Sequence, residues 1–204
     1  MRTIRNILAL IGLSTLLGGG YAVYKAAPTI AELRPAIMKF YLADLDPKFT
    51  QVYFDFAKDL LEHQDPGKAI TWTVPVEDGI GIEEVKESLK SIAAEHNFQF
   101  VGESPFYKQV ENITGKPYRH VSFLSFCNAR IGKIMVDYRD SYTGFMPCRI
   151  AVVEDKQGKL WLYSMNLDFM IHGGKKLPDD LEEKAIRARN AIRAMMDGAA
   201  KGDF

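Results

Sequence analysis

Apolar and polar residues change their period several times along this chain, and each change marks an element. Over residues 49–63, Val52, Phe56 and Leu60 fall at i, i+4 and i+8, with Phe49 and Tyr53 widening the stripe. That is the pattern of an amphipathic helix. Asp65-Pro66-Gly67 is a strong turn signal and closes it. The period then falls to two. Over 69–76, Ile70, Trp72 and Val74 lie on one face and Thr71 and Thr73 on the other, which predicts a strand. Pro75 puts that strand at an edge, or marks its end. Ile82, Val85, Leu89 and Ile92 return to 3, 4, 3 spacing, with Glu83, Glu84, Lys86, Glu87 and Lys90 mostly off the stripe. This predicts a helix ending near His96-Asn97.

Residues 98–101 read as a short strand and 103–117 as a loop-rich stretch. A strand follows over 120–127, with Val121, Phe123, Ser125 and Cys127 on one side. Asn128 is placed to cap a helix over 129–138. Residues 147–154 and 160–170 flank Asp155-Lys156-Gln157-Gly158, a hairpin signal. Leu177-Pro178-Asp179-Asp180 opens the last helix, with acids where the helix dipole favours them. Leu181, Ala185, Ala188, Ile192 and Met195 form its stripe, and Gly198 is placed to end it. The order β-α-β-β-α-β-β-α predicts an α+β fold. A curved, mainly antiparallel sheet packed on the long C-terminal helix buries both stripes.

The segment ahead of the first strand has another character. Residues 28–66 read as helical with breaks at Pro35 and Asp46-Pro47, and they are rich in aromatics: Phe40, Tyr41, Phe49, Tyr53, Phe54 and Phe56. Such helices either pack on the domain, lie near a membrane surface, or bind a partner. The first 25 residues carry Arg2, Arg5 and Lys25 and no acid. Between these bases, residues 6–24 are free of charge. As a helix they would reach roughly 28 Å, close to the hydrocarbon thickness of a bilayer. A cleaved signal peptide and a buried soluble helix also fit. Cleavage needs small residues at two nearby positions, and each candidate puts Tyr24 at one of them. The expectation is therefore a single-span anchor (1–25), a helical stalk (26–67) and one α+β domain (68–204). Arg2 and Arg5 favour a cytoplasmic N-terminus and an extracytoplasmic domain, while Lys25, Arg34 and Lys39 oppose that orientation.

Composition narrows the function classes. Of 204 residues, 47% are hydrophobic and 25% charged, which excludes wholesale disorder and a multi-span membrane protein. Lysine and arginine total 26 against 26 acids, so no overall basic field recruits nucleic acid. Two cysteines cannot build a disulfide scaffold or a four-thiolate metal site.

Ser125-Phe126-Cys127-Asn128-Ala129, followed by Met146-Pro147-Cys148-Arg149-Ile150-Ala151-Val152-Val153-Glu154-Asp155 and a glycine hairpin, resembles the DUF302 family over residues 68–204. Ala129 stands where that family often has proline. The resemblance implies a TATA-binding-protein-like α+β fold, often dimeric, with no established reaction.

The chemistry is sparse. Cys127 ends one expected strand and Cys148 begins another. They read as inert buried thiols, as a disulfide, or as a pair that is redox-active or ligates a metal or haem iron. His172, in a loop with Gly173-Gly174 before the last helix, is within reach of a ligand. His63, His96 and His120 occupy helix-end or strand-start positions. Asp137, Asp140, Glu154 and Asp168 have no visible partner and read as solvated; Met165, Met170, Met195 and Met196 read as core. No G-x-S-x-G, H-E-x-x-H, GxGxxG or EF-hand spacing occurs. No catalytic residue or metal set is therefore assigned, and the cofactor stays open. The expected function is a membrane-tethered accessory or binding protein, its ligand between sheet and long helix, its partner a second copy or a membrane complex. The rival is an extracytoplasmic thiol redox or haem- or metal-binding protein using Cys127 and Cys148.

Overall fold

The computed structural model describes residues 18–21, 24–25, 27–29, 31–36, 38–40 and 42–204. Most of the charge-free stretch 6–24, on which the anchor expectation rests, lies outside the described residues. Among those described, no helix is long and apolar enough to cross a membrane. Two compact units divide the chain, Met1–Asp44 and Leu45–Phe204. In the first, the described residues between 18 and 42 are helical.

The second unit opens with α1 (Phe49–His63) and α2 (Pro66–Ile70). Asp65 starts α2 by accepting from the Gly67 and Lys68 backbone N–H groups at 2.9 and 3.2 Å. Then come β1 (Thr71–Pro75), α3 (Ile82–Glu95), β2 (Gln99–Ser104), α4 (Phe106–Thr114), β3 (Val121–Cys127) and α5 (Ala129–Tyr138). A short 3-10 turn, Asp140–Phe145, leads to β4 (Cys148–Glu154), β5 (Leu160–Met165), α6 (Asp168–His172) and α7 (Asp179–Ala199). The fold is α+β. All five strands form one antiparallel sheet in the order β1-β5-β4-β3-β2.

Alternation along the strands sorts the sheet into two faces. Leu124, Phe126, Ile150, Val152 and Leu162 are wholly buried and meet α3 and the long α7 through Val85, Leu89, Ile92, Ile192, Met195 and Met196. The helix stripes expected from sequence are the ones that fill this core. α3 and α7 approach closely at Gly198, where a Cβ would stand 2.5 Å from Ile92 Cδ1. A smaller apolar cluster under α5 and the 3-10 turn takes in Met135, Tyr142, Ile171, Leu177, Leu181 and Ala185. Asn128 caps α5, its Oδ1 accepting from the Ile131 N–H at 3.1 Å.

Three local expectations change. Residues 103–117 are not mainly loop: α4 lies there, started after Pro105 and closed by Gly115 at φ 66°. Asp168 is not a solvated carboxylate, because Arg189 Nη1 donates to its Oδ1 at 2.9 Å and ties α6 to α7. Met165 is partly exposed, whereas Met170, Met195 and Met196 are core. The aromatic helix α1 packs within the same unit as the sheet: Tyr53 and Phe56 each stand edge-on to Phe169 at 5.8 Å. The Tyr53 hydroxyl donates to the Gly173 carbonyl at 3.0 Å.

His120, at the start of β3, gives the fold a pH dependence. It is buried against the Tyr107 ring, with Nε2 2.9 Å from Ser122 Oγ. Burial, then the nearby Lys86 charge, lowers its pKa from the usual 6.5 against the opposing pull of Glu103, Glu83 and Glu154. The unfolded chain therefore binds this proton more readily. Stability is full above pH 6.5 and is lost as pH falls toward the folded value. Thermal melts between pH 7.5 and 5 should show a falling midpoint, with a shallower decline in His120→Gln; equal slopes in both proteins would contradict the assignment.

Candidate functional site

β3 and β4 pair in the register Phe126↔Cys148, which brings the end of one strand beside the start of the other. Cys127 and Cys148 consequently line one cavity between the sheet, α5 and α7, together with Phe98, Phe126, Met135, Met146 and Ala188. Gly132 leaves the room on the α5 side: a Cβ there would stand 3.6 Å from Met146 Sδ and 3.9 Å from Cys127 Sγ. Both cysteines are free thiols. Burial pushes the Cys148 thiol up to about 11, with Cys127 adding to the rise. A thiol so placed keeps its proton at neutral pH and is a poor nucleophile.

Size decides what this cavity can hold. Its volume is about 30 Å³, the scale of a water or two. A haem does not fit without displacing the walls. A single ion does, and the surrounding thiols and thioethers are soft donors.

His172 is not part of this cavity. It ends α6, is 2% exposed, and has Nδ1 3.1 Å from Asp46 Oδ1. The structure thus brings two of the three sequence-derived candidates together and sets the third apart, in a helix end rather than a loop.

A larger opening lies where the sequence reading placed none. It is a cleft of about 570 Å³ on the sheet face turned away from α3 and α7, lined by Thr71, Thr73, Trp161 and Tyr163, with Asp65, Lys68 and Asp155 at its sides. β1 pairs with β5 in the register Thr73↔Tyr163, so these four side chains share a face. Ala151 stands opposite Tyr163 on the neighbouring β4. This volume falls within the range of small-molecule sites.

Most polar groups of the cleft are already committed. Asp155 Oδ1 accepts from the Gln157 and Lys159 N–H groups at 2.8 and 2.9 Å, and Trp161 Nε1 donates to Oδ2 at 2.8 Å. These bonds, the one from Lys159 foremost, hold its pKa below the usual carboxylate value. Asp65 is used up as the α2 cap, and Thr71 Oγ1 donates to the Gly67 carbonyl at 2.7 Å. Thr73 Oγ1 is different: it is buried with no hydrogen-bond partner among the described residues. Burial raises the Tyr163 hydroxyl pKa, and Asp155 adds to the rise. The cleft therefore offers an aromatic wall fixed by Trp161–Asp155, two hydroxyls and a lysine, with both carboxylates engaged in turns. That is an arrangement for holding a ligand.

The model of the family described as "Domain of unknown function DUF302" matches residues 72–199. Among solved structures, the chain is similar to an uncharacterized conserved DUF302 protein from Bacillus stearothermophilus, at 18% identity and a TM-score of 0.51. That likeness covers 63% of this chain and 96% of the other, and at this identity it is one of fold. Among curated proteins, none matches.

Proposed function

This chain belongs to the DUF302 family, a domain of unknown function, and we propose that it is a membrane-tethered binding module. Its ligand is a small polar molecule with a flat face, a sugar ring or a heteroaromatic, stacked on Trp161 and Tyr163. The observation that carries this is the cleft of about 570 Å³ with the unpartnered Thr73 hydroxyl at its wall. The tether reading rests on the charge-free stretch 6–24, and it places the folded unit outside the cytoplasm. Retention in the membrane fraction after alkaline carbonate washing tests it; release of the full-length chain would count against it.

The two tryptophans make the ligand reading testable. Trp161 faces the cleft, whereas Trp72 packs toward the core with the Arg193 guanidinium 5.2 Å over its ring. In a nitrogen-labelled sample, a panel of monosaccharides and heteroaromatic rings should move the Trp161 indole resonance and leave that of Trp72 in place. Trp161→Ala should weaken the best binder about tenfold, the upper end of what one aromatic stack contributes. Ligands that move only Trp72, or bind Trp161→Ala unchanged, would sink this reading.

A second reading has its own observation. Cys127, Cys148 and Met146 surround a cavity of one-ion size, which supports binding of a soft monovalent cation such as Cu(I). The raised thiol pKa of Cys148 speaks against thiol exchange at neutral pH. Native mass spectrometry of protein isolated without reductant separates these. One added copper mass that disappears in a Cys127→Ser, Cys148→Ser variant supports the ion. A loss of 2 Da, the mass of two thiol hydrogens, would mean a disulfide.

A further inference from the structure

We infer that Asp46, His172 and Glu182 form a binding site for one divalent transition-metal cation of the zinc class. The site is separate from both the cleft and the thiol cavity, and its donors are of the opposite, harder kind. Three segments far apart in the chain supply it: Asp46 from the stretch just before α1, His172 from the end of α6, and Glu182 from the first turn of α7. A ring nitrogen of His172 and one carboxylate oxygen from each acid all lie within 4.8 Å of one another.

The histidine carries the argument. His172 and Asp46 are each 2% exposed at the side chain, with Nδ1 3.1 Å from Oδ1. Yet neither ring nitrogen has a hydrogen-bond partner among the described residues. Buried imidazole nitrogens are almost always satisfied. A simple pairing with Asp46 accounts for at most one of them. A cation shared by the imidazole and the two carboxylates gives the ring nitrogen that faces Asp46 the partner it lacks.

Asp46 is held as a ligand needs to be held. Its N–H donates to the Gly174 carbonyl at 2.9 Å, its Oδ1 accepts from the Lys48 N–H at 2.8 Å, and the adjacent Leu45 forms a β-bridge with Lys175. Tetrahedral coordination at about 2.0–2.2 Å sets ligand atoms roughly 3.3 Å apart. The Asp46–His172 separation already matches that edge. Glu182 is the partly exposed member, on a helix start, with its carboxylate within 4.8 Å of the other two donors. Lys176, a cation whose charge acts on Asp46, is drawn to Asp179, with Nζ 2.7 Å from its Oδ1. One imidazole and two carboxylates suit zinc, manganese or ferrous iron. Cu(I) prefers sulfur, and calcium would require more oxygens.

The test uses the full-length protein in detergent, stripped with chelator and titrated with Zn²⁺ and, separately, Co²⁺. One equivalent should bind. The cobalt form should show ligand-field bands without a thiolate-to-cobalt charge-transfer band, which separates this site from the cysteines. Glu182→Gln should weaken Zn²⁺ binding roughly a hundredfold, the upper end of what even outer-shell partners command, while the metal-free melting temperature stays the same. The Cys127→Ser, Cys148→Ser variant should bind as wild type. Absence of stoichiometric binding, unchanged affinity in Glu182→Gln, or a charge-transfer band that vanishes with the cysteines would each overturn the inference.

Discussion

Phe126→Ala is expected to lower the unfolding free energy by about 3–5 kcal/mol. The ring is wholly buried on β3, packed at 5.7 Å against Phe100 of β2 and forming a wall of the thiol cavity. Truncation adds the volume of a phenyl ring to a void that already measures about 30 Å³. The surrounding strands are paired on both sides of β3, so collapse into that space would break the ladder. Domains of this size are stable by about 5–15 kcal/mol, so the variant should sit near the edge of folding at physiological temperature. Urea titration reads the result as a lower midpoint with an unchanged slope. A loss below about 1 kcal/mol would mean that the site relaxes and that Phe126 is not central to the core. Phe123, half-buried on the opposite face, should tolerate alanine at much lower cost.

Glu103→Leu should be nearly as damaging, at about 3 kcal/mol, for an electrostatic reason. Lys86 projects from α3 with its side chain only 8% exposed, and its Nζ lies 3.0 Å from both Glu83 and Glu103. Glu83 is largely in solvent, where its attraction is screened. Glu103, on β2, is the less exposed partner, its side chain 26% exposed against 82% for Glu83. Its removal leaves a desolvated ammonium with one weak companion. Lys86→Met combined with Glu103→Leu should recover most of the loss, because an apolar pair of similar volume does not incur the cost of burying charge. A double variant as unstable as the single one would refute that account. Burial pulls the Lys86 pKa down, but the bonds to Glu103 and Glu83 more than offset it and hold it above the usual 10.5. Its proton therefore stabilises the fold fully below pH 10.5, and that contribution is lost only as pH rises through the folded value. Alkaline unfolding curves should show that loss in wild type and not in Lys86→Met.

The sheet and its main helices were legible because their signals are local. Trp72 and Val74 alternate with Thr71 and Thr73, and the structure buries the first pair against the helices. Asp155 and Gly158 mark the β4–β5 turn, and the Leu181-to-Met195 stripe is the buried face of α7. The helix α4 is the exception: residues 103–117 read in sequence as a loop-rich stretch, although Phe106, Val110 and Ile113 fall at i, i+4 and i+7 between Pro105 and Gly115. That stripe is less apolar in context, since Ile113 is 85% exposed and Phe106 rests on Phe123. The sites were harder, because each depends on pairing between distant segments. The cleft exists because the first strand pairs with the last, an arrangement that alternation within either strand cannot specify. The shared cavity of Cys127 and Cys148 needed the β3–β4 register and the opening at Gly132. Asp46 and His172 meet through a bridge between segments on either side of the sheet in sequence. A buried histidine facing an aspartate has no signature in spacing at all.

The bridge between Leu45 and Lys175, with the Asp46 N–H on the Gly174 carbonyl, has a mechanical consequence. The polypeptide enters the folded unit at this clasp, ahead of α1 and remote in sequence from every strand of the ladder. Tension arriving from the N-terminal side is borne first by the clasp and by the seating of α1 on Phe169. The five-strand ladder stands behind both. Under load the clasp yields first, so the cleft on the sheet keeps its shape while the segment ahead of α1 is drawn away. A cation holding Asp46 to His172 and Glu182 would stiffen that fuse.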